Sequence, residues 1–299
     1  MEITASQVKE LREMTGVGMM ECKKALIENS GNLDKAILWL RERGMARAAQ
    51  KADRAAAEGL VQVLVSENKK EGLLLEVNCE TDFAAKNEDF RQFVAEVGAL
   101  ALQEKIKTID ALKSAKFRGV TVAEALTALI AKVGENMNVR RVVYLDQPNG
   151  LVVGYSHMGG RIGTLVAIEN VTLSSESEEL GKDIAMHVAA AAPRYLDRSL
   201  VNQTELEEEK SIARKKLKEQ GKTDDIIEKA MDGQVVRFYK EVCLVDQPFI
   251  KEPKMTVDAV VNQRAKGARI HQFQRFQLGE GIEVKVTNFA DEVAQQLKK

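Results

Sequence analysis

Little in this chain is equipped for covalent chemistry. Histidine occurs three times in 299 residues, at 157, 187 and 271, and cysteine three times, at 22, 79 and 243. The cysteines are odd in number and far apart, with no metal-ligand spacing and no secretory context, so a reducing cytosol is the expected setting. An excess of one charge is missing as well: 44 basic residues face 45 acidic ones, for a net charge of −1. Nucleic-acid binders draw much of their affinity from phosphate neutralisation and show a basic excess. Direct binding of RNA or DNA is therefore not expected. No apolar run approaches the ~20 residues of a membrane span. The opening Met1-Glu2-Ile3-Thr4-Ala5-Ser6 lacks the basic and apolar regions of a signal peptide. A soluble, cytoplasmic protein is expected.

Nucleotide and hydrolase signatures are also absent. There is no G-x-x-x-x-G-K-[ST], no G-x-G-x-x-G, no H-E-x-x-H and no G-x-S-x-G. The cluster Gly159-Gly160-Arg161-Ile162-Gly163 lies inside a hairpin pattern and reads as a turn. Cys79 stands beside Glu80 and Asp82, but no histidine neighbours it to act as a base. His187 falls on the apolar face of a helix and reads as a core residue, and His271 lies in a strand, facing outward. His157 sits at a hairpin tip. No catalytic residue, cofactor or metal site is expected.

What is present is ordinary globular composition, 30% charged and 44% hydrophobic, in a chain long enough for two or three units. Residues 1–45 read as three short helices. Thr4 and Gln7 make a capping-box pattern, Gly16 and Gly18 break the first helix, and a second runs from about Met19 to Asn29. Gly31 ends it, Asn32 caps the third, and Gly44 is expected to stop that one. So small a bundle buries little surface, which favours an exposed binding face; the arrangement looks like a ubiquitin-associated (UBA-like) domain. Residues 46–58 read as a connector.

The middle of the chain repeats itself. Gly59 to Val65 and Leu73 to Asn78 form one hairpin signal, Gly150 to Tyr155 and Ile162 to Glu169 another. An amphipathic helix follows each, through Phe90-Val94-Val97-Leu100 and Leu180-Ile184-His187-Val188. The expectation is an α+β fold with two related halves, each a small antiparallel sheet covered by helices, at 59–146 and at 147–196 with 243–280. Thr121 and Glu124 cap a helix to about Val133, and Asn138 to Asp146 adds a strand. Residues 197–242 form a charged helical hairpin turning at Gly221-Lys222-Thr223. Val257 to Ala265 reads as a helix and Ala268 to Leu278 as a strand. A C-terminal module, 281–299, holds a short amphipathic helix from Asn288 to Leu297 that must dock on something.

One loop stands out: Asn78-Cys79-Glu80-Thr81-Asp82-Phe83-Ala84-Ala85-Lys86-Asn87, between an apolar strand and a helix starting near Glu88. An acid and a large aromatic sit side by side on a turn, where binding groups concentrate. Either Phe83 points out as a wedge beside a charged neighbour, or it tucks inward while Thr81 or Asp82 caps the helix.

That loop, together with Leu11-Arg12-Glu13-Met14-Thr15-Gly16-Val17-Gly18-Met19-Met20-Glu21-Cys22-Lys23-Lys24-Ala25-Leu26, resembles the elongation factor Ts family, bacterial guanine-nucleotide exchange factors for the translational GTPase elongation factor Tu. The resemblance covers essentially the whole chain. It departs at Ala84, where the family usually has Val, and at Glu21, where it usually has Asp. The resemblance implies that the protein binds elongation factor Tu in its GDP-bound and nucleotide-free forms. Thr81, Asp82, Phe83 and Ala84 would then disturb the magnesium and phosphate site, so that GDP leaves and GTP enters. It implies further contacts from Arg12, Met19 and Met20, and from His157, Gly160 and Arg161 to a different domain of the GTPase. Met19 and Met20 have an alternative role in packing between the N-terminal helices. The family's counterpart of the 197–242 hairpin is a coiled-coil arm, which also offers a route to self-association. The rival class is an adaptor in which a UBA-type bundle recruits a partner, the hairpin oligomerises, and no exchange occurs.

Overall fold

The structure is a computed structural model and describes residues 3–283. Its class is α+β. The chain opens with α1 (Ala5–Thr15), α2 (Met19–Glu28) and α3 (Leu33–Lys51). The capping box is in place: Thr4 Oγ1 accepts the Gln7 N–H at 3.3 Å, and the Gln7 carboxamide accepts the Thr4 N–H at 3.0 Å. Gly16 closes α1 at φ 65°, a left-handed conformation that suits glycine. The three helices bury Leu11, Cys22, Ala25, Leu26 and Ala36 among them.

Gly44 does not stop α3; the helix runs on to Lys51. A glycine ends a helix when it turns left-handed, and Gly44 stays right-handed here because its missing side chain serves packing. A Cβ at Gly44 would lie 3.2 Å from Ala131 Cβ, so the glycine lets two helices approach closely. Part of the expected connector is thereby helical.

The chain continues through β1 (Glu58–Val65), β2 (Glu71–Cys79), α4 (Asp82–Lys86), α5 (Glu88–Gln103), α6 (Ile109–Ser114), the ribbon β3 (Lys116–Phe117) and β4 (Val120–Thr121), α7 (Val122–Val133) and β5 (Met137–Asp146). After these come β6 (Gly150–His157), β7 (Ile162–Glu169), α8 (Ser175–Ala191), α9 (Gln203–Glu219), α10 (Asp224–Val242), β8 (Pro248–Phe249), β9 (Glu252–Thr256), α11 (Val257–Arg264) and β10 (Arg269–Gln277). Strands pair in the order β1-β2-β5 in one sheet and β10-β7-β6 in another. β6 and β7 are antiparallel, with Gly150 opposite Glu169 and His157 opposite Ile162. Ala131, the neighbour of Gly44, thus belongs to α7. The elements without a clear sequence signal are short: α4, α6, the β3–β4 ribbon and the β8–β9 pair.

Two compact units can be distinguished. Of the described residues, one holds those up to Val61, Leu75–Val142 and those from Gln277; the other holds Gln62–Leu74 and Val143–Phe276. In the second, Val166 and Ile168 of β7 pack with Leu180, Ile184 and Val188 of α8 and with Val257, Val260 and Val261 of α11. His187 is buried there as expected. Its Nδ1 accepts the Ile250 N–H at 3.2 Å, which leaves Nε2 to donate to Gln247 Oε1 at 2.9 Å. Burial holds this imidazole below its ordinary pKa, against the Gln247 contact. Helices α9 and α10 run as a pair, tied by Arg214 to Glu228 at 3.1 Å and Lys218 to Asp224 at 3.4 Å, and rooted on Leu206, Phe238 and Val242.

All three cysteines are buried. Desolvation, helped by the nearby carboxylates of Glu135 and Glu58, pushes the Cys79 thiol up to about 12. Desolvation and Asp246 raise Cys243 to about 11. Among the described residues no helix is long and apolar enough to cross a membrane. The expected C-terminal helix, Asn288 to Leu297, lies outside the described residues.

Candidate functional site

The conspicuous loop combines parts of both alternatives: Phe83 points out beside charged neighbours, and Thr81 caps a helix. It folds into a helix of its own, α4, five residues long. Thr81 is the N-cap, its Oγ1 accepting the Ala84 N–H at 3.2 Å. Capping does not turn Phe83 inward: successive helical residues point about 100° apart, and here Ala84 and Ala85 take the buried side. Phe83 is left 80% exposed. So large an apolar ring in water forgoes about 1.5–3 kcal/mol that burial would return.

Charge surrounds the ring. Lys86 Nζ lies 2.6 Å from Asp82 Oδ2 and 5.8 Å from the Phe83 ring centroid. The Lys86 hydrogen bond is the main reason the Asp82 carboxyl sits below the usual carboxylate range. Asp82 is therefore ionised and already paired, and a partner claiming it must compete with Lys86. Beneath the helix, Glu135 accepts from Thr81 twice, from the N–H at 3.0 Å and from the hydroxyl at 2.7 Å. Asn87 ends α4 and caps α5 in turn, accepting from the N–H groups of Asp89 and Phe90. The loop is thus a rigid mount.

The second group lies on the N-terminal helices. Arg12 stands in the last turn of α1, exposed, its carbonyl accepting the Gly16 N–H at 2.7 Å. Met19 and Met20 open α2 after Gly18 and are 47% and 77% exposed. Packing between the helices falls instead to Cys22, Ala25 and Leu26. Glu21 points to α3, with Arg47 at 3.0 Å and Arg43 at 3.6 Å, so this acid fastens the turn rather than facing a partner.

The third group is at the β6–β7 tip, in the other unit. The His157 carbonyl accepts the N–H groups of both Gly160 and Arg161 at 3.2 Å, closing the tip. Met158, Gly159 and Gly160 all have positive φ, at 51°, 66° and 93°. The His157 ring stacks on Tyr155, whose hydroxyl lies 2.9 Å from Nδ1. Both His157 and Arg161 are exposed, while Gly160 is buried.

A model of the family described as "Elongation factor TS" matches residues 80–280. The chain is 46% identical over 302 residues to elongation factor Ts of Clostridium botulinum (strain Alaska E43 / Type E3), covering 99% of this chain and 100% of that one. Elongation factor Ts of Clostridium novyi (strain NT) is 46% identical over 304 residues, with 99% of each chain covered. That of Magnetococcus marinus is 46% identical over 301 residues, again with 99% of each covered.

The chain belongs to the elongation factor Ts family. Around Phe83, the structure adds residues that the sequence did not single out. Lys86 was visible in the motif, but its pairing with Asp82 depends on the helix, which puts residues four apart on one face. Glu135 had no local signal beyond following Gly134, the left-handed cap of α7. Glu76 hides in the apolar run before the loop. Its side chain is wholly buried, and it accepts from the Gly279 N–H, Asn78 Nδ2, Arg140 and Arg141 at 2.9, 3.0, 3.0 and 2.5 Å.

Proposed function

We infer that this chain is a guanine-nucleotide exchange factor for the translational GTPase elongation factor Tu, acting in the cytoplasm. Phe83 carries the reading: a large ring held out in water on a braced helix, inside the stretch that the elongation factor Ts family model matches. The factor docks on the GDP-bound GTPase, Phe83 enters an apolar gap beside the magnesium and phosphate site, and Asp82 competes for polar groups there. Magnesium and phosphate contacts weaken, GDP leaves, and GTP, the more abundant nucleotide, fills the site of the nucleotide-free complex. Thr81 and Ala84 serve this step by seating the helix. The protein supplies no reacting group; its work is negative coupling between two ligands of one GTPase, which is reciprocal.

The N-terminal helices act as a UBA-like domain within residues 1–45, docking through Arg12, Met19 and Met20. The two sheet-and-helix halves, 59–146 and 147–196 with 243–280, form a duplicated core, and the tip at His157, Gly160 and Arg161 engages a second domain of the GTPase. Helices α9 and α10, within 197–242, serve as a coiled-coil arm that also offers a surface for self-association.

The deciding assay is release of a fluorescent GDP from elongation factor Tu in stopped flow, with and without this chain. Large, concentration-dependent acceleration supports the reading; none, with a competent GTPase, removes it. Methionines adapt to apolar partner surfaces, so Met20→Glu should raise the half-saturating concentration about tenfold or more while leaving the maximal rate near wild type. An unchanged half-saturation would take Met20 out of the interface.

A further inference from the structure

We propose that Lys132–Glu135, the end of α7 and the two residues after it, is a joint holding the Phe83 helix in register with the methionine turn, and that Glu135 is a positioning residue for exchange. The proposal rests on the exchange reading above. Helix α4 has five residues, too few to be stable alone. The direction of Phe83 is therefore set by what holds the helix: the buried Ala84 and Ala85, the Arg91 Nε bond to the Ala85 carbonyl at 3.3 Å, and whatever holds the cap. Glu135 holds it, taking both donors of Thr81 on one carboxylate. The Thr81 hydroxyl gives its proton to Glu135 and its lone pair to the Ala84 N–H. A hydroxyl that donates to a carboxylate becomes a stronger acceptor, so Glu135 tightens the cap through Thr81.

Neighbouring residues reach the other elements. Lys132 Nζ lies 2.7 Å from Asp89 Oδ1 in the first turn of α5, directly after the Phe83 helix. The aliphatic end of the same side chain passes Gly16, where a Cβ built on the glycine would lie 3.3 Å from Lys132 Cε. Gly16 closes α1 and starts the turn that presents Met19 and Met20. The Gly134 carbonyl accepts from Lys51 Nζ at the end of α3. Three consecutive functions thus meet within Lys132–Glu135: the wedge cap, the helix behind the wedge, and the methionine turn. Glu135 is half-buried and acts through Thr81, so its loss should appear in the maximal rate rather than in docking.

The test uses the full chain in fluorescent-GDP release, with Glu135→Ala, Glu135→Gln, and Glu135→Ala combined with Phe83→Ala. Glu135→Ala is expected to lower the maximal rate about tenfold at a wild-type half-saturating concentration. Glu135→Gln, which keeps the shape and one acceptor oxygen, should recover part of that loss. Added to Phe83→Ala, Glu135→Ala should slow exchange by less than about twofold more, because both changes disable one wedge. A wild-type maximal rate in Glu135→Ala overturns the proposal. So does full multiplication of the two effects in the double variant. A matching fall of thermal midpoint and affinity in both Glu135 variants would leave the residue a support of the fold alone, and overturns it too. If the wild-type chain fails to accelerate release, the exchange reading falls first. If acceleration and its dependence on Phe83 stand, failure of the Glu135 variants counts against the joint only.

Discussion

Phe83→Ala is expected to slow the maximal rate of GDP release by about 10- to 150-fold and to leave the thermal midpoint of the free protein unchanged. The magnitude follows from exposure. A ring 80% accessible in the free chain contributes nothing to its core, so truncation removes only what the ring gains when a partner buries it. Alanine is also the better helix former, which protects α4 from any loss of propensity. If the ring enters its gap only as the phosphate site opens, the stabilisation is specific to that step. The rate then falls while the half-saturating concentration stays. Reciprocity adds a second readout: the factor by which GDP weakens binding of this chain should shrink by a similar amount in the variant. Exchange at wild-type speed by a folded Phe83→Ala chain would rule out the wedge.

Glu76→Ala is the substitution with the largest expected effect on stability, about 3 kcal/mol at neutral pH. It takes the acceptor from the Gly279 N–H and one partner each from Asn78 Nδ2 and the guanidinium groups of Arg140 and Arg141, which keep their bonds to Glu58, Glu280 and Gln277; a buried network broken on one side costs more than an intact one contributes. The carboxyl also carries a pH signature. Burial alone would raise its pKa, but the Gly279 N–H, Asn78 and Arg141 outweigh burial and hold it below the ordinary 4.5. A group with a depressed native pKa stabilises fully above its unfolded value, and that stability drains away as pH falls through the native pKa. The gap in urea midpoint between wild type and Glu76→Gln should therefore be flat from neutral pH down to about 4.5 and narrow below it. A gap that stays constant to pH 3, or none at pH 7, would show that the charge is not what holds Gly279.

Where the sequence was readable, the reason was local. Thr4 with Gln7 and Thr121 with Glu124 are capping boxes whose partners lie three residues apart, and α1 and α7 begin where they indicate. The same holds for the β6–β7 hairpin and for α9 and α10, whose turn chemistry is written in the chain. Gly44 misled because its meaning depends on Ala131, which no window around residue 44 contains. Glu76 stands in an apolar run that reads as a buried strand, but the partners that make its burial tolerable, Arg140, Arg141 and Gly279, lie far along the chain. At the site, the motifs picked out Asp82, Phe83 and Met20; the structure leaves Phe83 and Met20 exposed and Asp82 half-buried. Their supports, Glu135 and Lys132, were illegible because a hydrogen bond between distant residues leaves no periodicity to read.

The burial of every cysteine decides where oxidants can strike. A thiol reacts as thiolate, and one pushed to about 12 is ionised in about one molecule in 10⁵ at pH 7. Peroxide or hypochlorite arriving from solvent meets thioethers first, at Met20, Met158 and Met14, which are 77%, 66% and 60% exposed. Sulfoxide formation there puts a polar group on side chains that otherwise offer an apolar face. Redox damage to this protein therefore falls on its exposed methionines before its core, and it is of the kind that methionine sulfoxide reductases repair.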